Sequence, residues 1–245
     1  MRRRALLLGA ATLGAATLGF GGLLAACSKP RTVRTSVHGG VDFVELLAKK
    51  PDDTLPLVIA IHGRGGAPEH WIDGWMPFPG SAHFALPRGF ARHEQGFSWF
   101  ASPLDMKSET LAKDVAAAEE RLWKAIAELA ASRKVILAGY EQGATLSFVM
   151  AARHPDAIVH AFPVVGGCPD TLLPREKSRA APVTAYHGTA DELVAIQGAR
   201  DAVDAWKREG NEATLREYAG IGHSPTDKMH ADLWSDMEKA LRGKA

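Results

Sequence analysis

Residues 134–143 read Lys134-Val135-Ile136-Leu137-Ala138-Gly139-Tyr140-Glu141-Gln142-Gly143. Val135 to Ala138 is an apolar run without a polar break, the pattern of a parallel strand buried on both faces. It passes directly into Gly-x-Glu-x-Gly, and the helix-like segment Ala144 to Arg153 follows. A strand that enters a helix through so short a turn forces the middle residue out of regular backbone geometry, and flanking glycines relieve the crowding around it. The apex residue is therefore presented at the C-terminal end of a strand, where open parallel sheets build their sites. That residue is Glu141.

The same alternation continues on either side. Leu57 to Ile61 is a second continuous apolar run, bounded by Pro56 and by His62-Gly63. Val41 to Leu47 reads as an early strand, with residues 32–37 as a candidate partner. Residues 64–80, rich in Gly, Pro and Trp, read as a loop with a short helix, and Ala82 to Leu86 as a short strand. Leu111, Val115, Ala118, Leu122, Ile126 and Leu129 recur at steps of three and four, an apolar stripe on one long helix, with Lys113, Asp114, Glu119, Glu120 and Lys124 largely off it. The helix after Gly143 should end near His154-Pro155. Further strands are expected at 158–165, 183–187 and 214–218, a loop at 167–181, and helices at 196–209 and 227–242. Alternating strands and helices predict an α/β fold, a mainly parallel sheet with helices on both faces and right-handed crossovers.

The chain has 245 residues, 46% hydrophobic and 23% charged, with a net charge of +1. That suits one globular domain and gives no argument for nucleic acid as a partner. Arg2, Arg3 and Arg4 precede an uncharged stretch from Ala5 to Ala26, the layout of an export signal. Leu24-Ala25-Ala26-Cys27 resembles the lipobox of bacterial lipoproteins, in which the cysteine becomes the lipidated first residue. The expected organisation is a signal peptide over 1–26, a tether over 27–36 and one domain over 37–245, anchored in the bacterial cell envelope through lipid on Cys27. An uncleaved membrane anchor is the alternative, and a partial twin-arginine pattern leaves the export route open. Only Cys168 remains, so no disulfide framework is expected; after an apolar strand it reads as a small core residue.

Three more segments fall at strand ends. His62-Gly63-Arg64-Gly65-Gly66 is a glycine-rich turn with backbone N–H groups to spare. His187-Gly188-Thr189-Ala190-Asp191 places an acid at a strand edge. Gly220-Ile221-Gly222-His223-Ser224 puts a histidine on a loop after the last strand. Together with Ser98-Trp99-Phe100 and the Gly139 to Gly143 turn, these pieces resemble the phospholipase/carboxylesterase branch of the α/β-hydrolases, which includes acyl-protein thioesterases. The resemblance covers most of residues 57–225. It implies ester or thioester hydrolysis, with Asp191 as the acid, His223 as the base and the backbone amides of Arg64 and Gln142 as the oxyanion hole. The turn would be the nucleophile elbow, and Glu141 stands where the family has serine. No metal or cofactor is called for. Bland readings stand beside these: Asp191 as a helix N-cap, His223 as a surface histidine, His62, Trp99 and Phe100 as packing residues. Ser147 and Ser224 are poor substitutes for the missing nucleophile.

A carboxylate at that apex has four uses. Attack on an ordinary ester would give a mixed anhydride and expel a more basic alkoxide, which is uphill. Attack on an sp3 carbon bearing a good leaving group gives an alkyl ester that water, activated by His223 and Asp191, can cleave; haloalkane dehalogenases and epoxide hydrolases do this with aspartate. Glu141 could also serve as general base on a water, or ion-pair with His223 and silence it. The expected function is a hydrolase of small ester-like substrates through a Glu141-His223-Asp191 site. Its alternative is a silent protein on the same fold that binds a ligand or partner.

Overall fold

The structure, a computed structural model, describes residues 31–48, 50, 52–79 and 81–243. The signal segment, Cys27 and the first part of the tether lie outside the described residues. The strands are β1 (Thr32–His38), β2 (Val41–Leu47), β3 (Leu57–Ile61), β4 (His83–Pro87), β5 (Ala91–His93), β6 (Gly96–Ser98), β7 (Val135–Tyr140), β8 (Ile158–Val164), β9 (Val183–Gly188) and β10 (Ala213–Tyr218). The helices are α1 (Pro68–Trp75), α2 (Glu109–Ala130), α3 (Gln142–Arg153), α4 (Gln197–Arg208) and α5 (Asp227–Leu241).

Eight strands form one sheet in the order β1-β2-β4-β3-β7-β8-β9-β10. Pairing is parallel from β4 to β10 and antiparallel at β1-β2 and β2-β4. Side chains of a strand alternate between its faces, and here both faces are cores. Leu57, Ile59, Ile61, Val135 and Leu137 pack with α2, α3 and α4. Val58, Ala60, Ile136 and Ala138 pack with α1 and α5 on the other side. This is why β3 and β7 read as unbroken apolar runs, and why they lie adjacent at the centre. The chain has the expected α/β-hydrolase architecture.

Two expectations change. Residues 32–37 pair with the next strand as expected, forming β1 residue for residue with β2, so the tether drawn over 27–36 overlaps the sheet. Just before it, Arg31 is buried, donating to the carbonyls of Ala82 and Phe78, so the sheet domain takes in the chain from there. Glu119, expected off the apolar stripe of α2, is only 2% exposed. It accepts from Arg153 at 2.6 Å and pairs with His154 at 2.7 Å, so its charge is compensated where α2 meets α3. The β5-β6 hairpin was not read from the sequence at all.

The central turn depends on its glycines. A Cβ on Gly143 would stand 2.1 Å from the Ile61 carbonyl oxygen, and one on Gly139 would stand 2.1 Å from the Gly143 oxygen. Both obstacles are backbone and cannot swing away. Gly143→Ala should therefore destabilise the fold by about 2–3 kcal/mol or more, read as a lower urea midpoint. An unchanged midpoint would mean that α3 packs on β3 less closely than described.

Candidate active site

β7 delivers Tyr140 and then Glu141, whose backbone lies at φ 53 and ψ −108 before α3 begins at Gln142. Positive φ is costly for a side chain with a Cβ, on the order of 1–3 kcal/mol. The packing around Gly139 and Gly143 holds it there. The carboxylate then turns back on its own backbone: Glu141 Oε2 accepts from the Gln142 N–H at 2.8 Å and from the Arg64 N–H at 2.6 Å. Gly63 makes room, since a Cβ there would stand 3.0 Å from the same oxygen. Two charge-assisted bonds at the N-terminus of α3 suit an anion. Glu141 Oε1 has no hydrogen-bond partner among the described residues.

Asp191 follows the end of β9, and its side chain is wholly buried. Its Oδ1 accepts from the Leu193 and Val194 amides, both at 2.9 Å. α4 starts later, at Gln197. Asp191 therefore holds its own loop and does not cap a helix. His223 Nδ1 lies 3.1 Å from Asp191 Oδ2. Burial pushes the Asp191 carboxyl up, but the Val194 and Leu193 amides and His223 outweigh it and hold the group below the usual carboxylate range. An ionised carboxylate only accepts, so His223 carries its proton on Nδ1 and leaves Nε2 as the basic nitrogen. Nε2 has no hydrogen-bond partner among the described residues. The His223 side chain is 24% exposed, within reach of water.

Glu141 and His223 make no ion pair among the described residues, so the silencing pair considered above is not formed. The structure gathers Arg64, Glu141 and Gln142 at one end of the site, and Asp191 with His223 at the other.

Two contributors were missed in the sequence. Tyr140 donates its hydroxyl to the His223 carbonyl at 3.0 Å, tying the histidine loop to the central turn. Burial, then the charges of Glu141 and Asp191, push its phenol up to about 12, so it stays a donor. Its only signal was its place beside Glu141. His187 Nε2 faces the Val194 carbonyl at 2.9 Å and Asp191 Oδ2 at 3.4 Å. Both neighbours accept, so Nε2 bears the proton. Burial lowers the pKa of His187, against the pull of the Val194 bond and Asp191. It braces the acid as a neutral ring.

The remaining candidates are structural. His62 Nδ1 meets the Gly63 carbonyl at 2.7 Å while its Nε2 accepts from the Gly89 N–H at 3.0 Å. Both nitrogens are used, and burial pushes its pKa down to about 4. Trp99 and Phe100 are buried, and the Gln142 side chain clamps their backbone through the Trp99 N–H and the Phe100 carbonyl. Ser147 is buried and donates to the Gly143 carbonyl, away from Glu141. Cys168 is buried as a free thiol, and desolvation pushes its pKa up. Among the described residues no cluster of His, Cys, Asp and Glu could hold a metal ion.

The chain and its fold have parallels among known proteins. Carboxylesterase SOBER1 of Arabidopsis thaliana is 26% identical over 124 residues, which is 49% of this chain and 54% of the relative. Acyl-protein thioesterase 1 of Kluyveromyces lactis is 27% identical over 116 residues, 44% of this chain and 50% of the relative. The chain thus spans about half the length of the curated relatives it matches. Among solved structures, the Bacillus cereus carboxylesterase superposes with a TM-score of 0.67 at 17% identity, covering 82% of this chain and 94% of that one. Zea mays acyl-protein thioesterase 2 superposes at 0.62 with 20% identity, covering 85% and 99%. At such identities the superpositions establish the fold. The model of the dienelactone hydrolase family matches residues 89–241, the span that carries Glu141, Asp191 and His223. The chain belongs to the dienelactone hydrolase family, a family of α/β-hydrolases.

Proposed function

We propose that the protein is a hydrolase that works through a covalent glutamyl ester on Glu141. The observation behind this reading is the pair of amide bonds to Glu141 Oε2, at 2.6 and 2.8 Å. Those N–H groups are the donors that an ester carbonyl would need as its oxygen becomes negative. With the hole filled by the enzyme's own carboxylate, neither direct ester attack nor general-base catalysis by Glu141 has a stabilised oxyanion. Alkyl transfer needs none in its first step. Oε1 attacks an sp3 carbon, the carbon–leaving-group bond breaks with its electron pair, and an alkyl ester forms on Glu141. Water then attacks the glutamyl carbonyl carbon, giving its proton to His223 Nε2, whose imidazolium Asp191 stabilises. The oxygen that turns negative in this second step is Oε2, already in the hole. Collapse releases the alcohol, which takes the proton back from His223, and leaves a carboxylic acid whose remaining proton passes to solvent as the carboxylate is regenerated. Substrates are small molecules with a good leaving group on an sp3 carbon: activated alkyl esters, alkyl halides and, with the opened ring oxygen taking a proton from water, epoxides.

A single turnover in heavy-oxygen water separates the mechanisms. The alcohol should be unlabelled and the Glu141 peptide about 2 Da heavier by mass spectrometry. His223→Ala should stall the second step and leave the alkyl group on Glu141. Label appearing directly in product would make Glu141 a base. No turnover across alkyl halides, epoxides and p-nitrophenyl esters would leave the silent binding protein as the reading.

The proposal includes location. Lipid on Cys27 would hold the domain at the cell envelope, on a tether shortened by β1 to the few residues before Thr32. Cys27→Ser should move the protein from the membrane to the soluble or uncleaved fraction. Unchanged membrane association with no lipid on Cys27 would defeat it.

A further inference from the structure

A cavity of about 350 Å³ lies between α1 and α5, in the core layer opposite α3. The end of β7 forms its floor, and Glu141 takes no part in its wall. Three features define what it can hold. Trp71, Trp75 and Tyr140 present aromatic walls, with the Trp71 and Tyr140 rings 6.0 Å apart at 50°. Met229 and Leu233 of α5 close the opposite side with apolar surface. At the edge stand half-buried His230 and, on the exposed rim, His70; neither ring has a hydrogen-bond partner among the described residues. Burial lowers the pKa of His230, so it offers one donor and one acceptor without charge. No carboxylate, lysine or arginine lines the space.

We propose that this cavity, which adjoins the Glu141–His223 site through Tyr140 but does not include Glu141, is a second binding site for a flat, uncharged aromatic ligand of about two rings bearing a hydroxyl. Size sets the ring count, since an apolar cavity of about 150 Å³ accepts one benzene. Aromatic walls at inclined angles favour stacked and edge-on rings over a flexible chain. The half-buried His230 imidazole favours a hydroxyl over a bare hydrocarbon, because a ligand that covers it without a polar group would leave it desolvated and unpaired.

Calorimetric titration of the full chain with 2-naphthol tests this. Gly74 lines the exposed rim of the cavity, and a Cβ there would meet nothing within 4 Å, so a large side chain fits and covers the mouth. Gly74→Phe should weaken 2-naphthol binding at least about ten-fold, while Gly74→Ala stays within about two-fold of the parent. Leu233→Trp, filling the space from α5, should repeat the loss if the first variant folds poorly. Naphthalene should bind several-fold more weakly than 2-naphthol, and the double change His70→Leu with His230→Leu should erase that difference. Glu141→Ala should leave 2-naphthol binding unchanged. Failure of the parent protein to bind 2-naphthol would overturn the proposal, as would binding that survives both filling variants. Loss on Glu141→Ala would place the ligand against Glu141 instead, whatever chemistry that residue performs.

Discussion

Glu141→Ser should raise hydrolysis of p-nitrophenyl acetate by at least about a hundred-fold and create labelling by serine-directed fluorophosphonates. The substitution removes the one group that occupies the two amides. Arg64 and Gln142 then present their N–H groups to solvent and to an ester carbonyl. One such donor alone is worth about 10²–10³ in rate. The serine hydroxyl would sit on the same strained turn, and serine is well suited to the N-cap position that Glu141 now fills. His223 already carries its proton on the Asp191 side and has a free Nε2 to act as base. Two controls apportion the gain. Glu141→Ala empties the hole without supplying a nucleophile and should gain little. Adding His223→Ala to Glu141→Ser should abolish the new activity. A folded Glu141→Ser protein inert to both ester and probe would mean that His223 does not reach the turn. The alkyl-transfer mechanism would then lose its base as well.

Why Glu141 lay open in the sequence while its contacts did not is a matter of range. The strand, the turn and the following helix are local: apolar run, paired glycines and helical spacing all sit within residues 134–153. The acid and histidine were legible for a similar reason, each being tied to a glycine-marked strand end. The fold class followed from β3 and β7, whose two buried faces leave no polar alternation. The direction of the Glu141 side chain is different. It is set by a bond to Arg64, 77 residues away, and by the absence of a Cβ at Gly63. Glu119 shows the same limit. Helical spacing placed it beside the stripe, and only α3, arriving with Arg153 and His154, made burial of its charge affordable. The β5-β6 hairpin, three residues a side, is too short for any periodicity to show. The pairing of residues 32–37 with the next strand was legible, but the tether was carried too far into it because β1 is a sheet edge with mostly exposed side chains, which marks no sharp start to the domain.

That edge leads to the largest stability effect expected away from the site. Glu45 on β2, the strand next to that edge, is wholly buried. Arg34, its cross-strand partner, donates to it twice, at 3.0 and 2.9 Å. His83 Nε2 stands 2.6 Å from Glu45 Oε2, and His83 Nδ1 faces Arg133 at 3.0 Å. Arginine only donates, so Nδ1 accepts and the His83 proton points at Glu45. The chain of donors converges on one carboxylate. Burial alone would push the Glu45 pKa up, but the bonds from His83 and Arg34 outweigh it and bring it down to about 2. A group depressed on folding stabilises the protein above its unfolded pKa, and that contribution fades as pH falls through the folded value. Stability should therefore drop by roughly 3 kcal/mol between about pH 5 and pH 2 from this residue alone. Glu45→Gln should cost about 2–3 kcal/mol at pH 7, because it strips the bonds from half-exposed Arg34 of their charge assistance and weakens the acceptor facing the His83 donor. The same variant should flatten the acid limb of the stability curve, so that variant and parent converge near pH 2. Urea unfolding at a series of pH values reads both effects. Parallel curves, displaced by the same amount at every pH, would show that Glu45 contributes through shape and not through charge.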